Sequence, residues 1–65
     1  MTLTINGEPR VTEAVTVADF LASISLASRM VVVEHNGEIV PRDRYGEQPL
    51  RDGDTLEIVQ MMAGG

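Results

Sequence analysis

The chain has 65 residues, with five arginines, no lysine, ten carboxylate side chains and no cysteine, and its formal net charge is −5 at pH 7. Its length predicts one domain, and the absence of cysteine excludes a disulfide framework, a thiolate zinc site and a thiol nucleophile. The acidic charge argues against nucleic-acid binding, and no segment resembles a membrane span or a secretion signal, so we expect a cytoplasmic protein.

The first predicted elements form a β-hairpin. Residues 1–5 alternate threonine with Met1, Leu3 and Ile5, which is the pattern of a half-buried strand. Asn6-Gly7 predicts a type I′ turn, since asparagine and glycine tolerate the two positive φ angles that this turn requires. A partner strand is expected over residues 8–12, and Pro9 places it at the sheet edge because proline has no N–H for a ladder hydrogen bond.

An amphipathic helix is predicted to begin near residue 17. Its apolar side chains recur at i, i+3, i+4 and i+7, as Val17, Phe20, Leu21 and Ile24. Thr16 with Asp19 three residues later resembles a capping box, which predicts the start of the helix. The apolar stripe ends there, so the helix is expected to fade over residues 25–28.

A second hairpin and an irregular segment are predicted next. Residues 30–35 have strand character, with Val31, Val33 and His35 on one face and Val32 and Glu34 on the other. Asn36-Gly37 predicts the turn, and the returning strand over residues 38–40 should stop at Pro41. Residues 42–50 are polar, and we expect an irregular segment with one helical turn.

The last predicted strand covers residues 54–60, after a turn at Asp52-Gly53-Asp54. Alternation places Leu56 and Ile58 toward the core and Glu57, Val59 and Met61 outward. Val59, Met61 and Met62 therefore either belong to a two-sided strand with scattered surface apolar residues or form an exposed patch that docks a partner.

The order of these elements predicts an α+β fold. The helix should connect parallel strands by a right-handed crossover. A mixed sheet of four to five strands wrapped over one main helix is the ubiquitin-like β-grasp. We expect residues 1–61 to form this domain and residues 62–65 to form a flexible C-terminal tail.

The terminal Gly64-Gly65 has two interpretations. It is either an inert tail or expression scar, or it presents the α-carboxylate of Gly65 as an acyl donor that a partner must first activate. Two glycines lack Cβ atoms and would thread a narrow cleft. The chain has no glycine-rich phosphate loop, so any ATP would be bound by another protein.

Neither a catalytic residue nor a metal site is expected within the chain. His35 is the only histidine, and we interpret it as covering the rim of the core at a strand end rather than as a catalytic base. A single histidine without cysteine disfavours a zinc-type centre, and Asp52-Gly53-Asp54 is too short for a calcium loop.

Several motifs together resemble the thiamine-biosynthesis sulfur carrier family, ThiS. They are Asn36, Ile39-Val40-Pro41-Arg42, Tyr45, Leu50, Asp52-Gly53-Asp54 and Ala63-Gly64-Gly65. The similarity extends over the whole chain and is greatest from residue 31 to residue 65. Small departures are Glu34 and His35, where small or apolar residues are common, and Tyr45, which often has tryptophan as its counterpart.

The resemblance implies a protein cosubstrate rather than an enzyme. In this family a ThiF-like adenylyltransferase uses ATP to adenylate the terminal carboxylate, here that of Gly65. Sulfur from a persulfide enzyme then replaces AMP, and the resulting thiocarboxylate supplies a ThiG-like thiazole synthase. The resemblance implies no cofactor bound in the carrier itself. From the composition, charge and hydropathy we also expect no metal, no nucleic-acid partner and no membrane partner.

Four other functions remain open from the sequence. The chain could be a small molybdopterin-synthase subunit, a carrier for another sulfur metabolite, a ubiquitin-like tag that forms isopeptide bonds, or a binding domain with inert terminal glycines. Molybdopterin-synthase subunits are typically longer and often have prolines before the tail, where this chain has Met61-Met62-Ala63.

Overall fold

The computed structural model describes residues 1–61 of the chain. The regular elements in chain order are β1 (Thr2–Ile5), β2 (Glu8–Val11), α1 (Val17–Ser23), β3 (Val31–His35), β4 (Glu38–Ile39) and β5 (Thr55–Gln60). Short 3-10 turns occur before β3, at Ser28–Met30, and after β4, at Arg42–Arg44. The second of these is the helical turn predicted within the irregular segment.

All five strands lie in one mixed sheet, in the order β2-β1-β5-β3-β4. β1 pairs antiparallel with β2, and β3 pairs antiparallel with β4. The last strand, β5, inserts between the two hairpins, parallel to β1 and antiparallel to β3. The strands that α1 connects, β2 and β3, therefore run in the same direction without being neighbours. This arrangement is the predicted β-grasp.

Both predicted hairpin turns are confirmed by their backbone angles. Asn6 and Gly7 have φ values of 50° and 86°, and Asn36 and Gly37 have φ values of 50° and 88°. Two consecutive positive φ angles are the requirement of the type I′ turn, whose twist matches that of the flanking strands. β2 lies at the edge of the sheet, as Pro9 predicted.

The helix covers the core and ends sooner than predicted. Thr16 caps it as predicted, because its side-chain oxygen accepts a hydrogen bond from the Asp19 N–H at 3.1 Å. Ser25 has a φ of 61°, and the Leu26 N–H donates to the Leu21 carbonyl at 2.9 Å, which is the 6→1 bond of a Schellman motif. This left-handed residue stops α1 at Ser23. No helix within the described residues is long and apolar enough to cross a membrane.

The core lies between α1 and one face of the sheet. Its buried residues are Leu3, Val17, Phe20, Leu21, Val31, Val33, Val40, Tyr45, Leu50, Leu56 and Ile58. Tyr45 donates its hydroxyl hydrogen to the Val31 carbonyl at 3.2 Å. That bond satisfies a β3 carbonyl beyond the end of the two-residue β4.

Five expectations about strand ends need correction. β2 ends at Val11 rather than at residue 12, and β3 begins at Val31 because Met30 belongs to the 3-10 turn before it. Met1 is 38% exposed rather than part of the buried face, and β1 begins at Thr2, although Met1 still exchanges backbone hydrogen bonds with Thr12. β4 ends at Ile39, although the Val40 N–H still donates to the Val33 carbonyl at 2.9 Å. β5 begins one residue later than predicted, because Asp54 belongs to the preceding turn and donates its N–H to the Arg51 carbonyl.

Candidate functional site

Strand β5 carries the chain toward Gly65, and two asparagine side chains hold it. The Asn6 Oδ1 accepts a hydrogen bond from the Ile58 N–H at 2.7 Å, and the Asn6 Nδ2 donates to the Ile58 carbonyl at 3.1 Å. The Asn36 Oδ1 accepts from the Thr55 N–H at 2.8 Å. Asn6 therefore extends the β1–β5 ladder past the end of β1, and β5 is tied at both its start and its middle.

The pairing of β5 with β3 continues to the last described residue. Val59 lies opposite Val32, Gln60 lies opposite Val31, and the Met61 N–H donates to the Met30 carbonyl at 2.7 Å. Met62, Gly64 and Gly65, together with the predicted tail, lie outside the described residues. The reactive terminus and the tail boundary therefore stay predictions.

An exposed apolar patch covers the sheet face opposite α1. Its members, which we call the outer patch, are Val32, Ile39, Val59 and Met61. Val59 is 60% exposed, Ile39 is 68% exposed and Met61 is 42% exposed. The predicted outward orientation of Val59 and Met61 is confirmed, whereas their docking role stays a prediction. The patch ends beside the point where β5 leaves the sheet.

The sequence did not indicate that Val32 and Ile39 belong to the outer patch, because cross-strand register cannot be read from one strand. Ile39 lies opposite Glu34, and Glu34 lies opposite Glu57, so these three side chains form one row across β4, β3 and β5. Alternation within β3 had separated Glu34 from the buried valines. Nothing local to β3 or β4 indicated that β5 would be the next strand along.

His35 contacts Asp54 across two elements of the fold. Its Nε2 lies 2.7 Å from the Asp54 Oδ2, and both side chains are partly buried. Asp54 also accepts hydrogen bonds from the Arg51 N–H at 2.9 Å and from the Asn36 Nδ2 at 3.2 Å. The cluster ties the end of β3 to the turn before β5. Among residues 1–61, no three His, Asp or Glu side chains converge as possible metal ligands.

Several opposing effects set the pKa of Asp54. Burial is the largest single effect and raises this pKa, but the hydrogen bonds from His35, Arg51 and Asn36, with the charge of His35, outweigh it. The pKa of Asp54 in the folded protein is therefore below its ordinary value. A lowered carboxyl pKa means that the ionised form stabilises the fold.

Acidification is expected to remove the stabilisation that Asp54 provides. Because the folded pKa lies below the unfolded value of about 3.9, this contribution is complete above about pH 5 and is lost as pH falls through the folded pKa. Asp54→Asn should lower the free energy of unfolding at pH 7 by about 1–2 kcal/mol and flatten its dependence on pH. Urea unfolding between pH 3 and pH 7 measures both quantities. Asp43→Asn, on the exposed 3-10 turn, is the matched control, and equal losses in the two variants would contradict the prediction.

The fold and sequence match proteins that are already known. The crystal structure of a thiamine biosynthesis protein (ThiS) from Geobacter metallireducens superposes with a TM-score of 0.83 and 33% identity, over all of both chains. A relative from Bacillus subtilis strain 168, named sulfur carrier protein ThiS, is 46% identical over 50 residues. That match covers 77% of this chain and 76% of the relative.

A third relative is much longer. A thiazole synthase from Paramagnetospirillum magneticum is 46% identical over 66 residues, which cover all of this chain but only 20% of the relative. The chain thus spans a fifth of the length of this match. The model of the ThiS family covers residues 3–65. The chain therefore belongs to the ThiS family.

Proposed function

We propose that this chain is a sulfur carrier that supplies sulfur for the thiazole ring in thiamine biosynthesis. The observation that carries the proposal is the family match, which runs through the β-grasp and includes the terminal Gly64-Gly65. The relative named sulfur carrier protein ThiS supports the carrier role. The match to a thiazole synthase supports that enzyme as the receiver of the sulfur.

In this proposal the reactive group is the α-carboxylate of Gly65. A ThiF-like adenylyltransferase binds ATP, and the carboxylate attacks its α-phosphorus, which forms an acyl-adenylate and releases pyrophosphate. The terminal sulfur of an enzyme persulfide then attacks the acyl carbon and displaces AMP, which leaves an acyl disulfide. A thiol attacks the sulfur on the enzyme side of that S–S bond, so a new disulfide forms and the thiocarboxylate departs with the electron pair. Gly64 and Gly65 enter the partner's cleft easily because neither has a Cβ atom. The carrier itself is a cytoplasmic cosubstrate without a bound cofactor and is not an enzyme.

The test is the intact mass of the chain after incubation with ATP, a ThiF-like adenylyltransferase, a persulfide sulfur source and a thiol reductant. We expect exchange of one oxygen atom for sulfur, which fragmentation should locate at Gly65. Omitting ATP is the control and should leave the mass unchanged. A chain that is never adenylated or thiolated would contradict the proposal, and covalent ladders with other proteins would instead favour a ubiquitin-like tag.

Val59→Asp should weaken docking to the adenylyltransferase by at least about tenfold, because it places a charge in the outer patch. The free energy of unfolding should change by less than about 1 kcal/mol, since the side chain is exposed. Titration calorimetry and thermal denaturation measure the two effects.

Val11→Asp is the matched control for this variant. Val11 is 79% exposed and lies on the edge strand β2, two strands away from β5. It undergoes the same chemical change outside the outer patch and should leave affinity unchanged. Equal affinities of the two variants would exclude the outer patch as the docking surface.

A further inference from the structure

The outer patch adjoins two carboxylates that face each other across the sheet. Glu34 on β3 lies directly opposite Glu57 on β5. The next pair on the same face, toward the C-terminal end of β5, is Val32 with Val59. Residues two apart in a strand project to the same face, so both pairs belong to the sheet face opposite α1. Ile39, opposite Glu34 on β4, completes the row.

The carboxylate pair lacks a cation of its own. Within residues 1–61, which include all five arginines, the His35–Asp54 contact is the one ion pair closer than 4.0 Å. Like charges directly opposite each other destabilise a sheet. In the free protein two repelling carboxylates therefore lie next to exposed apolar side chains. One partner surface would neutralise the charges and cover the apolar side chains.

We propose that the activating partner covers the outer patch with apolar side chains and inserts a cationic side chain, best an arginine, between Glu34 and Glu57. A guanidinium presents several N–H donors in a plane and can bond two carboxylates at once. Burial of the neighbouring apolar surface lowers the local dielectric and strengthens these charge-assisted bonds. This inference rests on the proposed function, because it names the chemistry by which the partner recognises the carrier.

Charge complementarity selects a basic protein surface over the other possible occupants. A second copy of the chain stacked on this face would bring four carboxylates together. The net charge of −5 also repels polyanions, whereas it speeds the approach of a basic surface. Burial of the outer patch is favourable for any apolar partner surface, and the charges of Glu34 and Glu57 select a basic one.

The test compares two double variants that each remove two negative charges. E34Q/E57Q changes the facing pair, and E13Q/E47Q changes two exposed glutamates outside the row. Glu47 lies between Tyr45 and Gln48, whose carbonyls accept hydrogen bonds from the first turn of α1. It is therefore away from the outer patch. The probe is the ThiF-like adenylyltransferase, and its affinity is measured by titration calorimetry at low and high salt.

We expect E34Q/E57Q to bind about tenfold more weakly than E13Q/E47Q at low salt, with a smaller difference at high salt because salt screens charge pairs. The melting temperature of free E34Q/E57Q should rise by about 1–5 °C, since the like-charge pair is gone. Weaker binding by a variant that is more stable separates recognition from damage to the fold.

Two outcomes would overturn the inference in different ways. If wild-type chain is thiolated at Gly65 but both double variants bind equally, the carboxylate pair does not recognise the partner, and the sulfur-carrier function stands. If wild-type chain is neither bound nor thiolated, the proposed function fails and the docking inference fails with it.

Discussion

Removal of Gly65 is expected to abolish thiocarboxylate formation while leaving the free energy of unfolding unchanged. The new carboxylate on Gly64 would lie about 3.3–3.6 Å short of the partner's reactive phosphorus, which is the reach of one extended residue. Displacements of about 1 Å already cost about a hundredfold in rate when a reaction depends on positioning. Terminal residues of a domain seldom contribute to its core, so the shortened chain should keep the wild-type stability.

Two variants of wild-type length distinguish the position of the terminal carboxylate from the fit of the last residues in the partner's cleft. Gly65→Ala and Gly64→Ala keep the chain length but add a Cβ atom, so they should slow the reaction through the fit of the cleft rather than through reach. Intact mass over time gives the rates, and thermal denaturation checks the fold. Thiocarboxylate formation on the shortened chain at the wild-type rate would show that the position of the terminus does not matter.

Asn6→Ala is expected to lower the free energy of unfolding by about 2–5 kcal/mol. The substitution removes both side-chain hydrogen bonds to Ile58, at 2.7 Å and 3.1 Å, and leaves the Ile58 N–H without its acceptor. An unsatisfied buried donor costs about 1–3 kcal/mol. Residue 6 also has a φ of 50°, and a left-handed conformation costs alanine about 1–2 kcal/mol.

Two further substitutions divide this loss into its parts. Asn6→Gly removes the carboxamide but accepts the positive φ, so it should lose only the hydrogen-bond contribution. Asn6→Asp keeps the acceptor for the Ile58 N–H and loses the donor to the Ile58 carbonyl. Urea unfolding of the three variants gives the differences, and a wild-type stability for Asn6→Gly would show that the carboxamide does not hold β5.

The sequence by itself determined the local elements of this protein. Asn6-Gly7 and Asn36-Gly37 predicted both hairpins because positive φ angles are a property of two adjacent residues. Thr16 predicted the start of α1 because its cap is also a local interaction, which reaches only to the N–H of Asp19. A period of two placed Val59 outward. The combined motifs, with terminal Gly64-Gly65, identified the ThiS family, which the family match confirmed.

Sequence reasoning failed where one local signal competed with another. Ser25 was assigned to a fading helix, but it adopts the left-handed conformation that ends α1 sharply. Serine is less common than glycine at that position, and nothing in its neighbours distinguished a gradual end from a Schellman motif. Met1 follows the alternation of β1 and exchanges backbone hydrogen bonds with Thr12, yet its side chain is 38% exposed.

Only the tertiary structure decided which distant residues meet. Asn6 bonds Ile58 across 52 positions, and His35 bonds Asp54 across 19 positions. Glu34 faces Glu57 because β5 inserts between β1 and β3 in one register. Local propensity acts over a few neighbouring residues, whereas strand order and register follow from burying the inner faces of β1, β3 and β5 against α1 at the same time. For that reason the outer patch, the facing pair of Glu34 and Glu57, and the asparagine hydrogen bonds to β5 exist only in the folded chain.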